Sequence, residues 1–227
     1  MGRFFDLDSP FMRFLNLIGD LMIMNFLMLI CCLPIFTIGA ACTGMHYVFL
    51  KMVRGEEGYL VRGFFKSFKQ NFKQATIIWL IMLAVIGIIA GDILILNYSG
   101  VEFPRVLMIL ILAIAIILLM AAVYVFPVLS RFDNTIKNTL INAFYMAILN
   151  LPKTILMILL LILPAVILYF STYAGVFVLL FGISLPAYLS AHLYSKCFKK
   201  FEPEAEPVVS DYEFSISTDE GNGEENG

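Results

Sequence analysis

Between Lys153 and Lys196 the sequence contains no Asp, Glu, Lys or Arg. A bilayer's hydrocarbon core is about 30 Å thick, and about 20 apolar helical residues cross it. The uncharged stretch is long enough to do so twice. It reads as a hairpin of two spans, about Lys153–Phe170 and Ala174–Leu193, joined by a tight turn at Ser171-Thr172-Tyr173. Composition points the same way. The 227 residues are 61% hydrophobic and 14% charged, where soluble domains run at about 45–50% and about 25%. So much apolar surface cannot be hidden in one small core, and a membrane is its solvent.

Three further spans precede the hairpin: about Leu15–Ile38, interrupted by Asp20, Asn25 and Pro34, then Ala75–Leu96, then Val106–Leu129. In lipid every backbone N–H and C=O needs an internal partner, which leaves the helix as the natural spanning element here. The expectation is an all-α, polytopic membrane protein with about five transmembrane helices. Met1–Phe14 mixes Phe with Arg and Asp and suits an interfacial lead-in, with Asp8-Ser9-Pro10 as a helix start. Asp6, Asp8 and Asp20 break the pattern of a secretory signal. Ala40–Arg54 is expected to continue the first span as helix.

Gly55–Trp79 joins a basic, Phe-rich segment directly to an apolar one. Val61, Phe64, Phe65, Phe68 and Phe72 follow helical spacing, and Arg62, Lys66, Lys69 and Lys73 recur on a neighbouring face. That pattern predicts a helix lying on an anionic membrane surface, rings in the acyl boundary and cations at the headgroups. Ser130–Asn150 has a similar plan, so amphipathic interfacial helices are expected on one side of the bilayer. Phe65 and Asn71 have the same spacing as Phe144 and Asn150, which hints at a repeated unit of span, interfacial helix and span. The basic helix runs into a span, which favours lipid headgroups over nucleic acid as its partner.

Charge sets the expected orientation. Residues 201–227 hold nine acidic residues and no basic one, leaving all 15 Lys and Arg in residues 1–200. Twelve of these fall on one side of a five-span topology: Lys51, Arg54, Arg62, Lys66, Lys69, Lys73, Arg131, Lys137, Lys153, Lys196, Lys199 and Lys200. Basic loops stay in the cytoplasm. The reading is a helical transmembrane domain over 1–200, an outside N-terminus and an acidic, disordered cytoplasmic tail over 201–227. Cys31, Cys32, Cys42 and Cys197 match no metal spacing and read as reduced packing residues.

Leu33-Pro34, Thr37-Ile38-Gly39, Tyr47, Lys51, Arg54, Glu56-Glu57-Gly58-Tyr59, Phe64-Phe65-Lys66, Phe68-Lys69, Asn71-Phe72-Lys73-Gln74 and Trp79 together resemble the signature of the YesL family, small bacterial integral membrane proteins. The resemblance covers about residues 1–200 and is most specific over Leu33–Trp79. It implies a multi-pass protein of the bacterial cell (inner) membrane, often encoded near carbohydrate importers and polysaccharide-degrading enzymes. It implies no catalytic residue, and the acidic tail lies outside it.

Asp20 and Asp92 are the only acids inside the predicted spans. An intramembrane carboxylate can serve as a proton, cation or solute site. It can also be hydrated near a span end, or pair with Arg13 or Arg105. Asn25 is the deepest strongly polar residue of the first span and suits an interhelical hydrogen bond. Asp20, Asn25 and Asp92 are thus the candidate intramembrane polar site. Gly87 and Gly91 form a G-x-x-x-G pattern for close helix approach. His46 and His192 read as interfacial polar residues. No Ser/His/Asp set, metal motif or phosphate loop is present, so no catalytic, cofactor or metal residue is assigned. The first functional expectation is a non-enzymatic accessory or regulatory protein associated with carbohydrate uptake, meeting importer permease subunits or a second copy of itself. The alternative is a small solute transporter or channel. A membrane enzyme would need clustered acids or histidines that the sequence lacks.

Overall fold

The computed structural model describes residues 10–56, 58–98, 105–199 and 201. The first nine residues of the expected lead-in, Glu57, residues 99–104, the side chain of Arg105, Lys200 and the tail beyond 201 lie outside the described residues. The chain divides into two units, 1–197 and 198–227.

The described fold is all α. Eight helices follow in order: α1 Pro10–Cys31, α2 Ile38–Arg54, α3 Leu60–Tyr98, α4 Arg105–Arg131, α5 Ile136–Leu149, α6 Leu151–Phe170, α7 Gly175–Phe181 and α8 Ser184–Phe198. Five segments are long and apolar enough to cross a membrane: α1, residues 35–54, α3, α4 and α6. The pair α7 and α8, bent by 48° at a short break, makes a sixth when counted as one span.

Three expectations are corrected. The first span does not run on from Leu15 through Ile38 into Arg54. It ends at Cys31, because Pro34 cannot continue a helix and restricts the residue before it. The Thr37 hydroxyl lies 2.5 Å from the Cys31 carbonyl and 2.6 Å from that of Pro34, so it meets groups freed by the break. Trp79 Nε1 donates to the Ile35 carbonyl across the same gap at 2.8 Å.

The basic Phe segment runs without a break into the apolar one, as expected, but Phe64 does not face lipid. The segment is the first part of α3, 39 unbroken residues. No Gly or Pro occurs between Gly63 and Gly87, so nothing in the sequence turns the chain. At 1.5 Å per residue α3 measures about 58 Å, roughly twice the hydrocarbon thickness. Phe64 is fully buried against α2 rather than placed among lipid chains, whereas Val61 and Phe65 are exposed as expected.

The last span is broken, with its two halves meeting at Gly182-Ile183 rather than forming one helix over 174–193.

Burial centres on α2. Ala40, Ala41, Thr43 and Phe49 have no solvent exposure. Small residues make this possible. A Cβ on Gly39 would lie 2.5 Å from the Ala75 carbonyl oxygen and 2.7 Å from Trp79 Cβ; one on Gly44 would lie 3.0 Å from the Phe64 carbonyl oxygen. α3 therefore crosses α2 nearly backbone to backbone. α5 starts at a Thr135 cap whose hydroxyl accepts from the Asn138 N–H at 3.4 Å. Gln74 of α3 donates to the Asn134 carbonyl at 2.6 Å, tying α3 to the loop before α5.

Candidate functional site

Asn25 sits on α1 with no solvent exposure. Its Nδ2 donates to the Leu179 carbonyl at 2.6 Å, and its Oδ1 accepts from the Ile183 and Ser184 N–H groups at 3.0 Å each. Those three backbone groups flank the break between α7 and α8. Broken helices leave orphan donors and acceptors, which water cannot reach in a bilayer. Asn25 supplies both missing partners at once, capping α8 from a different helix.

Asp20 and Asp92 are half-buried. Neither has a hydrogen bond or ion pair among the described residues, so nothing described joins them to Asn25 or to each other. Along α1, five residues rotate by about 140°, which places Asp20 and Asn25 on different faces. The structure thus assigns Asn25 a clear set of partners and leaves the two carboxylates apart from it.

A cavity of about 560 Å³ lies among α2, α3, α4, α6 and the α7–α8 break. It falls within the range of small-ligand sites, about 300–1,000 Å³. Its wall is almost wholly apolar, including Met45, Met82, Phe126, Pro164 and Pro186. The polar groups on it are few. His46 Nδ1 lies 3.1 Å from the Tyr194 hydroxyl, and the two rings meet edge to face. Ser190 Oγ donates to the Pro186 carbonyl at 2.8 Å. Among the described residues no Asp, Glu, Lys or Arg lines it. Sequence reasoning missed this cavity, because its walls come from five helices. The sequence-level signal was the trio of helix-disturbing residues Pro164, Gly182 and Pro186.

A second, smaller cup of about 200 Å³ lies where α2 turns into α3. Gly55 ends α2 in the left-handed conformation (φ 69°) and reverses the chain. Lys51 from α2 and Arg62 and Lys66 from α3 line the cup with Tyr47, Glu56 and Tyr59. Of the predicted basic face, Arg62 and Lys66 are thus brought to the cup. Lys69 and Lys73 are exposed farther along α3.

A third polar cluster joins α6 to α8. Lys153 Nζ donates to Cys197 Sγ at 3.1 Å, and the thiol donates to Asn150 Oδ1 at 3.2 Å. Among the described residues no group of three or more His, Cys, Asp and Glu side chains could hold a metal ion.

Residues 21–93 match a family described as "Protein of unknown function, DUF624". That segment contains the second half of α1, all of α2 and most of α3, and therefore Asn25, the cup and one wall of the large cavity. No curated protein and no solved structure matches the chain.

Proposed function

We propose that this chain is a YesL-type, non-enzymatic membrane protein of the bacterial cell (inner) membrane, with a cytoplasmic C-terminus. In this reading it acts as an accessory or regulatory component of a larger membrane assembly serving carbohydrate uptake or utilisation, such as importer permease subunits. One observation carries the reading: the cavity of about 560 Å³ among α2, α3, α4, α6 and the α7–α8 break has an apolar, uncharged wall. A sugar or an ion entering it would lose its hydration with little in return. The deepest polar side chain of the first span, Asn25, is committed to the fold. The family match over 21–93 adds the likeness to a group of proteins without assigned activity. Orientation rests on the excess of Lys and Arg around the α2–α3 turn, the α4–α5 loop and the end of α8. The test is crosslinking in the native cell, then mild-detergent purification and mass spectrometry. Stoichiometric recovery of importer permease subunits supports the accessory reading, and flux of solute through the purified protein alone defeats it.

The second reading is a small transporter or channel, and the two carboxylates, without a side-chain partner among the described residues, favour it. Proton or cation sites inside membranes are built from such groups. Asp20→Asn and Asp92→Asn variants with full cellular function would remove its support.

A further inference from the structure

The α2–α3 cup has a feature that a merely basic helix face lacks: three cations line one concavity, and two of them stand over aromatic rings. Lys51 Nζ lies 5.3 Å from the centroid of the Tyr47 ring, and Arg62 Cζ lies 5.0 Å from that of Tyr59. Each ring fixes a long, otherwise mobile side chain, so less ordering is left for a ligand to impose. Lys66 follows Arg62 by four residues and shares its face of α3. Gly63 of α3 packs against α2, where an added Cβ would be in ordinary contact with Val48 at 3.5 Å and Tyr47 at 3.8 Å. Leu60 at the start of α3 lines the cup, and no acidic residue occupies the first turn. The positive end of a long helix therefore borders the same space. Among the described residues Glu56 is the opposing charge in the cup. Its contact with Lys51 is long, 3.9 Å, and both side chains are more than a third exposed, so the pair yields readily.

We propose that this cup is a discrete binding site for one phosphate group. The site holds that group through Lys51, Arg62 and Lys66, with the α3 N-terminus beside it. The phosphate belongs either to an anionic lipid headgroup at the membrane surface or to a free or solute-borne phosphate. This deepens the membrane-surface reading of the basic face and is separable from it. A diffuse basic face attracts anions through every cation equally, whereas a built cup depends on the residues that line it.

The experiment uses the full chain in phosphatidylcholine nanodiscs, titrated with phosphatidylglycerol and, separately, with inorganic phosphate, with binding counted by native mass spectrometry. Two double variants on one helix remove the same charge: Arg62→Gln/Lys66→Gln inside the cup and Lys69→Gln/Lys73→Gln outside it. All four side chains are exposed, so thermal midpoints are expected to match the parent. The cup predicts saturable binding of one phosphate-bearing ligand per chain. It predicts a loss of tenfold or more in the first double variant and less than threefold in the second. Glu56→Gln is expected to tighten binding severalfold. If millimolar inorganic phosphate displaces phosphatidylglycerol, the source is the free anion; if it does not, the source is the lipid. Equal losses in the two double variants, or no saturable binding of either probe, overturns the proposal.

Discussion

The α2-centred region and the apolar flank of α3, α4 and α6 are built from similarly hydrophobic residues but are held by different forces. Around α2 the helices touch through Gly39, Ala40, Ala41, Thr43 and Gly44, and aromatic side chains such as Phe49 and Phe64 are fully buried. On the flank, Ile88, Leu112 and Leu161 are 66%, 62% and 60% exposed. Gly87 and Gly91 there have no neighbour within 4 Å of an added Cβ. In lipid, a Leu gains nothing by leaving hydrocarbon for another helix, so hydrophobicity does not choose where helices meet. Close backbone approach and hydrogen bonds do, and both concentrate in the α2 region. The difference teaches that small and polar residues, rather than large apolar ones, mark the core of this protein.

The sharpest test places one substitution in both regions. Gly39→Val forces a side chain into the Ala75 backbone and Trp79 Cβ. Neither wall can move without separating α2 from α3, and a loss of about 3 kcal/mol is expected. The same change at Gly87 meets open space and is expected to stay within about 0.5 kcal/mol. Thermal midpoints in mild detergent, read by size-exclusion recovery, compare the two. Equal effects would dissolve the distinction between core and flank.

Next in size is Asn25→Leu. It removes three hydrogen bonds and strands the Ile183 and Ser184 N–H groups at the α7–α8 break. Individual hydrogen bonds in membranes average only about 0.6 kcal/mol, but two unsatisfied donors raise the cost to about 2 kcal/mol. Asp20→Asn and Asp92→Asn, with no partner to lose among the described residues, should each shift stability by less than about 0.5 kcal/mol. Amide hydrogen exchange at residues 182–187 gives a local readout, and faster exchange in the Leu variant is expected. Unchanged protection there would mean that the break is satisfied without Asn25. Trp79→Phe keeps the ring against Phe126 but loses the bond to the Ile35 carbonyl. About 1 kcal/mol is expected, measured by the same midpoint.

How much of this was legible follows from the distance over which each signal acts. The apolar runs specify helices, because period and length are local, and α4 and α6 fall close to where the sequence puts them. The breaks were half legible. Pro34 announces one, but Gly182-Ile183 lies in an apolar run whose disruption depends on Asn25, far away in sequence. Within the basic Phe segment, Phe64 misled because amphipathicity does not distinguish a lipid surface from a neighbouring helix; it faces Gly44 of α2, which periodicity alone cannot reveal. Several residues that carry the family resemblance prove to be joinery of the α2–α3 unit. Gly39 admits the crossing, Trp79 bridges the break, Gln74 ties down the α4–α5 loop, and Tyr47 holds Lys51. The polar site was legible residue by residue but not as a group, since helical phase separates Asp20 from Asn25.

The smallest expected effect carries the opposite sign. Glycine inside a helix costs about 0.5–1 kcal/mol relative to alanine unless something needs the space. Gly87 and Gly91 lie inside α3 with open space around them. Gly87→Ala and Gly91→Ala should therefore raise stability by up to about 0.5 kcal/mol each. An increase in midpoint for both would confirm that this flank faces lipid. A decrease, above all one accompanied by a change in oligomer mass by light scattering, would mean that a second helix crosses α3 at the G-x-x-x-G pattern. The flank would then be a covered interface, and the contrast between the two regions would hold only for the isolated chain.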